Sequence, residues 1–182
     1  MVCLVARQGR EFQRYSRSTG GRLVVGCIPY KFNINCPDDD MIHAMKVLVI
    51  SSQKGYGMMF PKGGWESDET IKQAAYREAL EEAGVQGNLE LRLGKWKHKS
   101  GAHSVVKESV MFPLNVTEEL LHWPEMGVRQ RRWVSVAEAM EGCKHQWMRE
   151  ALDRLVRRLS CSIQLKSASV AEKTFCGGYC MN

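Results

Sequence analysis

Acidic side chains recur at fixed intervals over residues 63–85, together with one arginine. If this stretch is helical, Glu78 and Glu82 lie one turn apart and Glu81 lies at the edge of the same face. Like charges in this arrangement repel, and Arg77 is the one cation inside the cluster. A hard divalent cation held by carboxylates, water and substrate phosphates would neutralise them, whereas a solvated acidic helix end is the alternative. Because such an ion polarises a phosphoryl group and activates water, the spacing predicts a metal-dependent site for pyrophosphate cleavage.

The elements that would position these side chains are a glycine loop and one helix. Residues 61–64 read Pro-Lys-Gly-Gly and predict a loop, since glycine tolerates positive φ and leaves the backbone open to a ligand. The helix formers that follow predict a helix over residues 69–83. Ser67 or Asp68 is expected to cap its start, and Gly84 is expected to end it.

The complete spacing resembles the signature of the Nudix hydrolase family, and a chance match at every fixed position is negligible on average composition. Ala79 departs from it, because the family usually carries a larger aliphatic residue there. The resemblance implies an α/β fold, the Nudix αβα sandwich, with a mixed sheet between helices. The matching positions are Gly63, Glu69, Arg77, Glu78, Glu81, Glu82, Gly84 and Val85.

The resemblance also implies how a metal is held. In Nudix enzymes the first and last glutamates of the Arg-Glu-x-x-Glu-Glu run bind the metal, and these correspond to Glu78 and Glu82. The backbone carbonyl of Lys62 would be a further ligand. The expected cofactor is Mg²⁺, with Mn²⁺ as an alternative.

Three side chains acquire catalytic roles from the same resemblance. Glu81 corresponds to the glutamate that related enzymes use as the base or as a further metal ligand. Which glutamate removes the proton stays open, because Nudix families differ on this point. Arg77 would orient Glu69 by a charge-assisted hydrogen bond rather than contact substrate.

A second resemblance covers most of the chain, from about residue 22 to residue 159. The segments Gly-Cys-Ile-Pro-Tyr at 26–30, Phe-Pro-Lys-Gly-Gly-Trp-Glu at 60–66 and Val-Thr-Glu-Glu-Leu at 116–120 look like the diphosphoinositol polyphosphate phosphohydrolase branch. The Pro-Lys-Gly-Gly loop is most similar to that of the plant members. The resemblance therefore implies inositol pyrophosphates as substrates.

Positive charge must be concentrated away from the acidic helix. Lysine and arginine number 26 against 20 aspartates and glutamates, which gives a formal net charge of +6. Basic residues flank the helix in sequence and could rim a pocket for a densely phosphorylated substrate, although a solvated surface is the alternative for any single one. The residues expected to contact substrate are Arg22, Lys54, Lys62, Gly63, Gly64, Lys107, Arg129 and Arg132.

Two other functions stay open. One is hydrolysis of diadenosine polyphosphates or another nucleoside diphosphate derivative, for which Trp65, Tyr56 or Trp96 could offer an aromatic platform, although packing roles are the alternative. The other is a non-catalytic module that binds a polyanion or RNA, against which the intact glutamate set argues. The expected partner is a small polyphosphorylated molecule, with no membrane and no nucleic acid, and the expected state is a monomer.

The chain divides by composition into three segments: a basic N-terminal segment 1–20, a hydrolase domain 21–160 and a small, polar tail 161–182 expected to be disordered. No apolar run is near the length that crosses a bilayer. Strands are predicted over residues 23–30, 45–52, 89–97, 105–116 and 131–134, and a closing helix over residues 145–159.

Five of the seven cysteines lack zinc-like spacing, which indicates reduced thiols and hence a cytoplasmic location, with the nucleus as another setting. Cys176 and Cys180 do form a pair near the end of the sequence, for which no role is expected and a redox or metal role is the alternative. The arginine-rich N-terminus keeps a mitochondrial or plastid transit peptide as the alternative.

Overall fold

A computed structural model describes residues 5–33, 44–52, 57–100 and 105–175, with backbone alone at residue 100 and over 165–175. In this part of the chain lie eight strands and three helices. The strands are β1 Arg22–Phe32, β2 Met45–Ser51, β3 Met58–Met59, β4 Lys62–Gly64, β5 Val85–Leu89, β6 Gly94–Ser100, β7 Val105–Glu119 and β8 Arg131–Ser135. The helices are α1 Ile71–Ala83, α2 Val136–Gly142 and α3 Gln146–Phe175.

The strands form one mixed sheet with β1 at its centre. β1 pairs parallel with β7, and antiparallel with β2 and β4. The main path runs β3-β2-β1-β7-β5, while β8 pairs with β2 and β6 pairs with β7. Because β4 adds to β1 directly, the glycine loop is held against the central strand of the sheet.

The core lies on both faces of this sheet, because successive side chains of a strand point to opposite sides. Val25 of β1 packs in a cluster that contains the buried alanines of α1. Ile28 packs in the second cluster, which contains Met148 and Leu152 of α3. The predicted αβα sandwich is confirmed, with α1 on one face and α3 on the other.

Three predicted boundaries differ from the structure. The strand predicted over 89–97 is two strands, β5 and β6, which pair one after the other with β7. The short helix α2 was not predicted, although Ser135 and Glu138 form a capping box at its start. α3 continues to Phe175 rather than ending near Leu159, because no glycine or proline interrupts residues 160–175. The tail prediction is therefore wrong for the helical residues, while 176–182 lie outside the described part.

Within the described residues, no helix is both long enough and apolar enough to cross a membrane.

Candidate active site

The helix α1 begins and ends through local hydrogen bonds. Thr70 is its N-cap and exchanges a capping box with Gln73, so the predicted caps Ser67 and Asp68 are wrong by two to three positions. Gly84 ends the helix in the left-handed region at φ 60°, as predicted, and its N–H donates to Leu80 at 3.0 Å. Both ends of the helix that carries the glutamates are therefore defined by the sequence around them.

Arg131 holds the C-terminal end of α1 in place. Its guanidinium donates to the carbonyls of Ala83 at 2.8 Å, Gly84 at 2.9 Å and Leu120 at 2.7 Å. The same guanidinium lies 4.2 Å from the ring centroid of Trp123. A cation at the carbonyl end of a helix is favourable for the helix dipole, so Arg131 has a structural role.

The strand β4 lies directly against the glutamates of α1. A Cβ built on Gly63 would be 2.2 Å from Oε1 of Glu78, so this position accepts only glycine while the carboxylate stays in place. The backbone N–H of Lys62 donates to Oε2 of Glu82 at 2.7 Å. The predicted loop and the predicted metal-binding glutamates are therefore in contact.

Arg77 lies at the centre of the acidic cluster. Its guanidinium donates two hydrogen bonds to Glu69, at 3.0 and 2.8 Å, as the prediction for this pair requires. It also donates to Glu78 at 2.8 Å, to Glu81 at 3.2 Å and to the carbonyl of Gly64 at 2.8 Å. Burial alone would lower its pKa, but the bonds to Glu69 and the charge of Glu78 raise the pKa above its usual value.

A second buried arginine, Arg129, also pairs with the cluster. Its guanidinium is ion-paired with Glu82 and Glu125 and donates to the carbonyl of Ser51 at 3.0 Å. Only 7% of Arg129 is exposed, so it contacts the glutamates rather than a substrate rim, and its predicted role is corrected accordingly. The sequence suggested that Arg77 is the one cation in this cluster, but the structure adds Arg129.

The site still holds more carboxylates than cations. The two arginines bind five carboxylates between them, those of Glu69, Glu78, Glu81, Glu82 and Glu125. Burial raises the pKa of the three helical glutamates Glu78, Glu81 and Glu82, and for Glu78 the charge of Glu82 adds to it. A site with buried carboxylate oxygens and too few cations to neutralise them is suited to bind a hard divalent cation.

The carboxylates of the cluster point towards Arg77 and Arg129 rather than converging on a common position for a metal. Among the described residues, no three His, Cys, Asp or Glu side chains form a ready ligand set for a metal. Mg²⁺ is commonly held by one or two carboxylates, with water and substrate phosphates completing its shell. The two predicted ligands, Glu78 and Glu82, would meet that number.

The N-terminal residues pack onto the same loop, which the sequence did not predict. The backbone N–H of Arg7 donates to Oε1 of Glu81 at 3.3 Å. Arg14 donates from its backbone to the carbonyl of Trp65 at 2.8 Å, and its guanidinium lies 4.7 Å from the Trp65 ring centroid. The basic segment is therefore attached to the domain through the glycine loop.

Basic side chains converge on the sheet face opposite α1. Arg22 of β1 and His98 of β6 both lie opposite Lys107 of β7 in the strand registers, and Lys62 lies opposite Gly26 of β1. Burial lowers the pKa of Lys107, and the positive charges of Arg22, Lys62 and Arg10 lower it further. Burial and then Arg10 likewise lower the pKa of Arg22. Arg10 is a member of this group that the sequence did not single out.

Two histidines extend the basic group towards α3. The ring of His98 stacks on Trp147 with centroids 4.7 Å apart, and His145 stacks on the same tryptophan at 6.4 Å. Burial lowers the pKa of His98 to about 4, and burial followed by Lys62 lowers that of His145. The imidazole of His98 is therefore neutral near pH 7, so it adds a polar ring rather than a charge beside the basic group.

Two residues predicted to contact substrate lie apart from this group. Arg132 is exposed on β8, and its charge acts on Glu138 of α2 rather than on the acidic cluster. Lys54 lies outside the described residues, as does Tyr56. The structure thus brings together Arg22, Lys62 and Lys107, and it leaves Arg132 out.

Comparison with known proteins gives the family. The NUDIX domain matches residues 38–155, more than half of the chain. The chain belongs to the Nudix hydrolase family. It is therefore an enzyme that hydrolyses phosphoanhydrides, in a family whose members generally use a divalent metal such as Mg²⁺.

Similar Nudix hydrolases occur in plants and animals. The chain is 52% identical over 180 residues to Nudix hydrolase 17, mitochondrial, of Arabidopsis thaliana, with 97% of each chain covered. It is 34% identical over 129 residues to mouse diphosphoinositol polyphosphate phosphohydrolase 2, with 68% of each covered. These names give no support to the predicted cytoplasmic or nuclear location.

The fold is shared with solved Nudix structures. The binary complex of a C. elegans Ap4A hydrolase aligns with a TM-score of 0.58 and 16% identity, over 76% of this chain and 97% of that one. A Nudix hydrolase from Nitrosomonas europaea aligns with a TM-score of 0.57 and 17% identity, over 73% and 86%. These likenesses establish the fold, and the predicted fold class is confirmed.

Proposed function

We propose that this Nudix hydrolase cleaves the phosphoanhydride of diphosphoinositol polyphosphates. The observation that carries the proposal is the convergence of Arg22, Lys62 and Lys107 beside the strand that contacts Glu78 and Glu82. An acidic hydrolytic centre thus adjoins a basic surface, with β4 between them.

The basic surface brings positive charges together in a partly desolvated place. Arg22 and Lys107 are half-buried; burial lowers the pKa of both, and the positive charge of Arg10 lowers both further, although Glu78 acts in the opposite direction on Arg22. Like charges that repel each other in a partly desolvated site are stabilised when an anion binds between them. A substrate with one anhydride would satisfy the acidic centre, whereas only a substrate with several further phosphates would also satisfy this group.

The residues of the acidic centre divide the reaction between them. Mg²⁺ bound through Glu78 and Glu82 would polarise the anhydride and activate the attacking water. Glu81 would accept the proton of that water, and Arg77 hydrogen-bonds to both Glu81 and Glu69. The absence of a side chain at Gly63 lets β4 lie directly against the carboxylate of Glu78.

A dinucleotide substrate would need a free aromatic face. Trp96 is only 6% exposed, and Arg154 lies over its ring at 4.8 Å. Trp65 donates to the carbonyl of Glu69 at 3.0 Å, and Arg14 covers its ring. Neither of these two tryptophans offers a free stacking platform, and Tyr56 lies outside the described residues.

Steady-state kinetics with two substrates test the proposal. Diphosphoinositol pentakisphosphate and diadenosine tetraphosphate are compared with Mg²⁺ for the wild type, Arg22→Gln and Lys107→Gln. Each variant should raise KM for the inositol substrate by about tenfold, since a charged hydrogen bond is worth about 1.5–3 kcal/mol. The effect should weaken at high salt. Lys97→Gln is the matched control, because Lys97 is exposed on the same strand as His98.

Equal losses on both substrates would mean that the basic group contacts only the shared anhydride. A wild type that turns over diadenosine tetraphosphate faster at matched concentrations would make the dinucleotide the better substrate and overturn the proposal.

A further inference from the structure

The N-terminal segment contacts a residue of the acidic centre directly. We infer that Arg7 is a positioning residue for Glu81, and that residues 7–16, here called the N-terminal strap, are part of the active site. The inference rests on the catalytic role proposed for Glu81. It assigns a function to a segment whose composition alone resembles a targeting sequence.

Glu81 is held from both sides. Oε1 accepts the backbone N–H of Arg7 at 3.3 Å, and Oε2 accepts the Arg77 guanidinium at 3.2 Å. Only 8% of Glu81 is exposed. A carboxylate bound through one oxygen can rotate about its terminal torsion, which is broad for glutamate, whereas one bound through both oxygens is fixed. The Arg7 N–H therefore completes the orientation of this side chain towards the reacting water.

The side chain of Arg7 keeps that N–H in place. Its guanidinium donates to both oxygens of Asp68, at 3.0 and 3.1 Å, and is ion-paired with Glu66. Glu66 and Asp68 lie in the turn between β4 and α1. The anchor thus ties the strap to the same turn that leads into the helix of Glu81.

The rest of the strap is bound along its length. Ser67 donates to the carbonyl of Phe12 at 2.7 Å, and Gln13 forms an antiparallel bridge with Glu66. The side-chain amide of Gln13 donates to the carbonyls of Leu23 at 3.0 Å and Trp65 at 3.1 Å. These bonds fix the path of the strap on the C-terminal side of Arg7.

The arginines of the strap are accounted for by these contacts. Arg7 anchors the strap, Arg14 donates to the carbonyls of Glu66 and Ser67 at 3.0 and 2.8 Å, and Arg10 belongs to the basic group. A protease that cuts between Arg7 and Gln13 would therefore remove part of the hydrolytic site.

Full-length Arg7→Ala, Arg7→Lys and Arg17→Ala are compared with the wild type on diphosphoinositol pentakisphosphate. Arg7→Ala should lower kcat by roughly tenfold while KM changes little, because a misplaced catalytic group costs rate rather than binding. Arg7→Lys keeps the ion pairs and should restore most of kcat. Arg17→Ala removes the same charge from an exposed position near the strap and should leave kcat unchanged.

A double-mutant cycle adds a readout that general destabilisation would not give. Asp68→Asn weakens one of the two partners of the Arg7 guanidinium and leaves Glu66 in place, so Arg7→Ala should lower kcat by a smaller factor in that background than in the wild type. The melting temperatures of the four proteins should agree closely, because the anchor is exposed.

If the wild type turns over the substrate and Arg7→Ala has the same kcat, this inference is overturned and the proposed function stays intact. Additive losses in the cycle, or no recovery in Arg7→Lys, would also overturn it. A wild type with no turnover would contradict the proposed function, and this inference with it.

Discussion

Oε1 of Glu78 occupies a point only 2.2 Å from where the β-carbon of an alanine at residue 63 would lie. The need for glycine at Gly63 is therefore steric and comes from Glu78, the proposed metal ligand fifteen positions further along the chain. Both residues belong to the Nudix signature, and the structure shows that one position depends on the other.

Gly63→Ala should abolish most Mg²⁺-dependent turnover, because the new methyl group must displace the Glu78 carboxylate. A loss of about 10- to 100-fold in kcat/KM is expected, as for other changes that misorient a metal ligand. Kinetics and Mg²⁺ titration measure it. Gly127→Ala is the control, since nothing lies within 4 Å of a Cβ built there. Near wild-type activity in Gly63→Ala would mean that Glu78 is not held in this position during turnover.

Glu78→Gln and Glu82→Gln should separate metal binding from folding. Each removes one of two repelling buried carboxylates, so the melting temperature without metal should stay equal or rise. The stabilisation by Mg²⁺, about 2.7 kcal/mol at a hundred times Kd, should be lost because an amide is a poor ligand for a hard cation. Thermal melts with and without Mg²⁺ measure both effects.

Glu81→Gln should lower kcat more than Mg²⁺ affinity if Glu81 acts as the base. Glu141→Gln, an exposed change on α2, is the charge-matched control for all three variants. A large loss of Mg²⁺ binding in Glu81→Gln would make Glu81 a metal ligand instead.

Glu108 predicts a pH-dependent contribution to stability. Lys95, Ser16 and Thr19 donate to its carboxylate and lower its pKa to about 2 from the ordinary 4.5. Since the folded pKa is the lower one, the contribution is present above about pH 4.5 and is lost as the pH falls towards 2. Glu108→Gln should therefore lower the melting temperature by a few degrees at pH 7 and by less at pH 3.5. An equal difference at both pH values would contradict the assignment.

Truncation after Gln164 should leave melting temperature and activity nearly unchanged. Among the described side chains of α3, Leu155 and Leu159 are the last that pack in the core, and Cys161, Ser162 and Gln164 are exposed. Truncation after Gln146 is the contrasting variant, because it removes Met148 and Leu152 and should prevent folding. A marked fall in melting temperature for the first truncation would show that the end of α3 packs on the domain.

The parts of the site that sequence could predict are those with local spacing. The helix α1, its end at Gly84 and the Arg77–Glu69 pair all lie within about twenty residues of one another. Helical periodicity and glycine conformation are local properties, so the pattern sufficed for them. The loop predicted over residues 61–64 is wrong, because Lys62–Gly64 form the strand β4 and neither Gly63 nor Gly64 has a positive φ.

The parts that sequence could not predict depend on tertiary contact. Arg129 reaches Glu82 across 47 positions, and Arg7 reaches Glu81 across 74. No spacing rule connects such residues, and the basic face likewise forms only because Arg22 and Lys107 are paired in the sheet. Arg132 was misplaced because a strand sends adjacent arginines to opposite faces.

The parallel pair at the centre of the sheet also bears on how the chain folds. It runs from Arg22 opposite Lys107 to Tyr30 opposite Asn115. Helices such as α1 can form early, but this pair must close a long loop first, which makes folding slow. During synthesis β1 leaves the ribosome well before its partner exists, so one edge of the strand stays unpaired until about residue 115 has emerged. A nascent chain arrested before residue 105 should therefore remain sensitive to protease throughout.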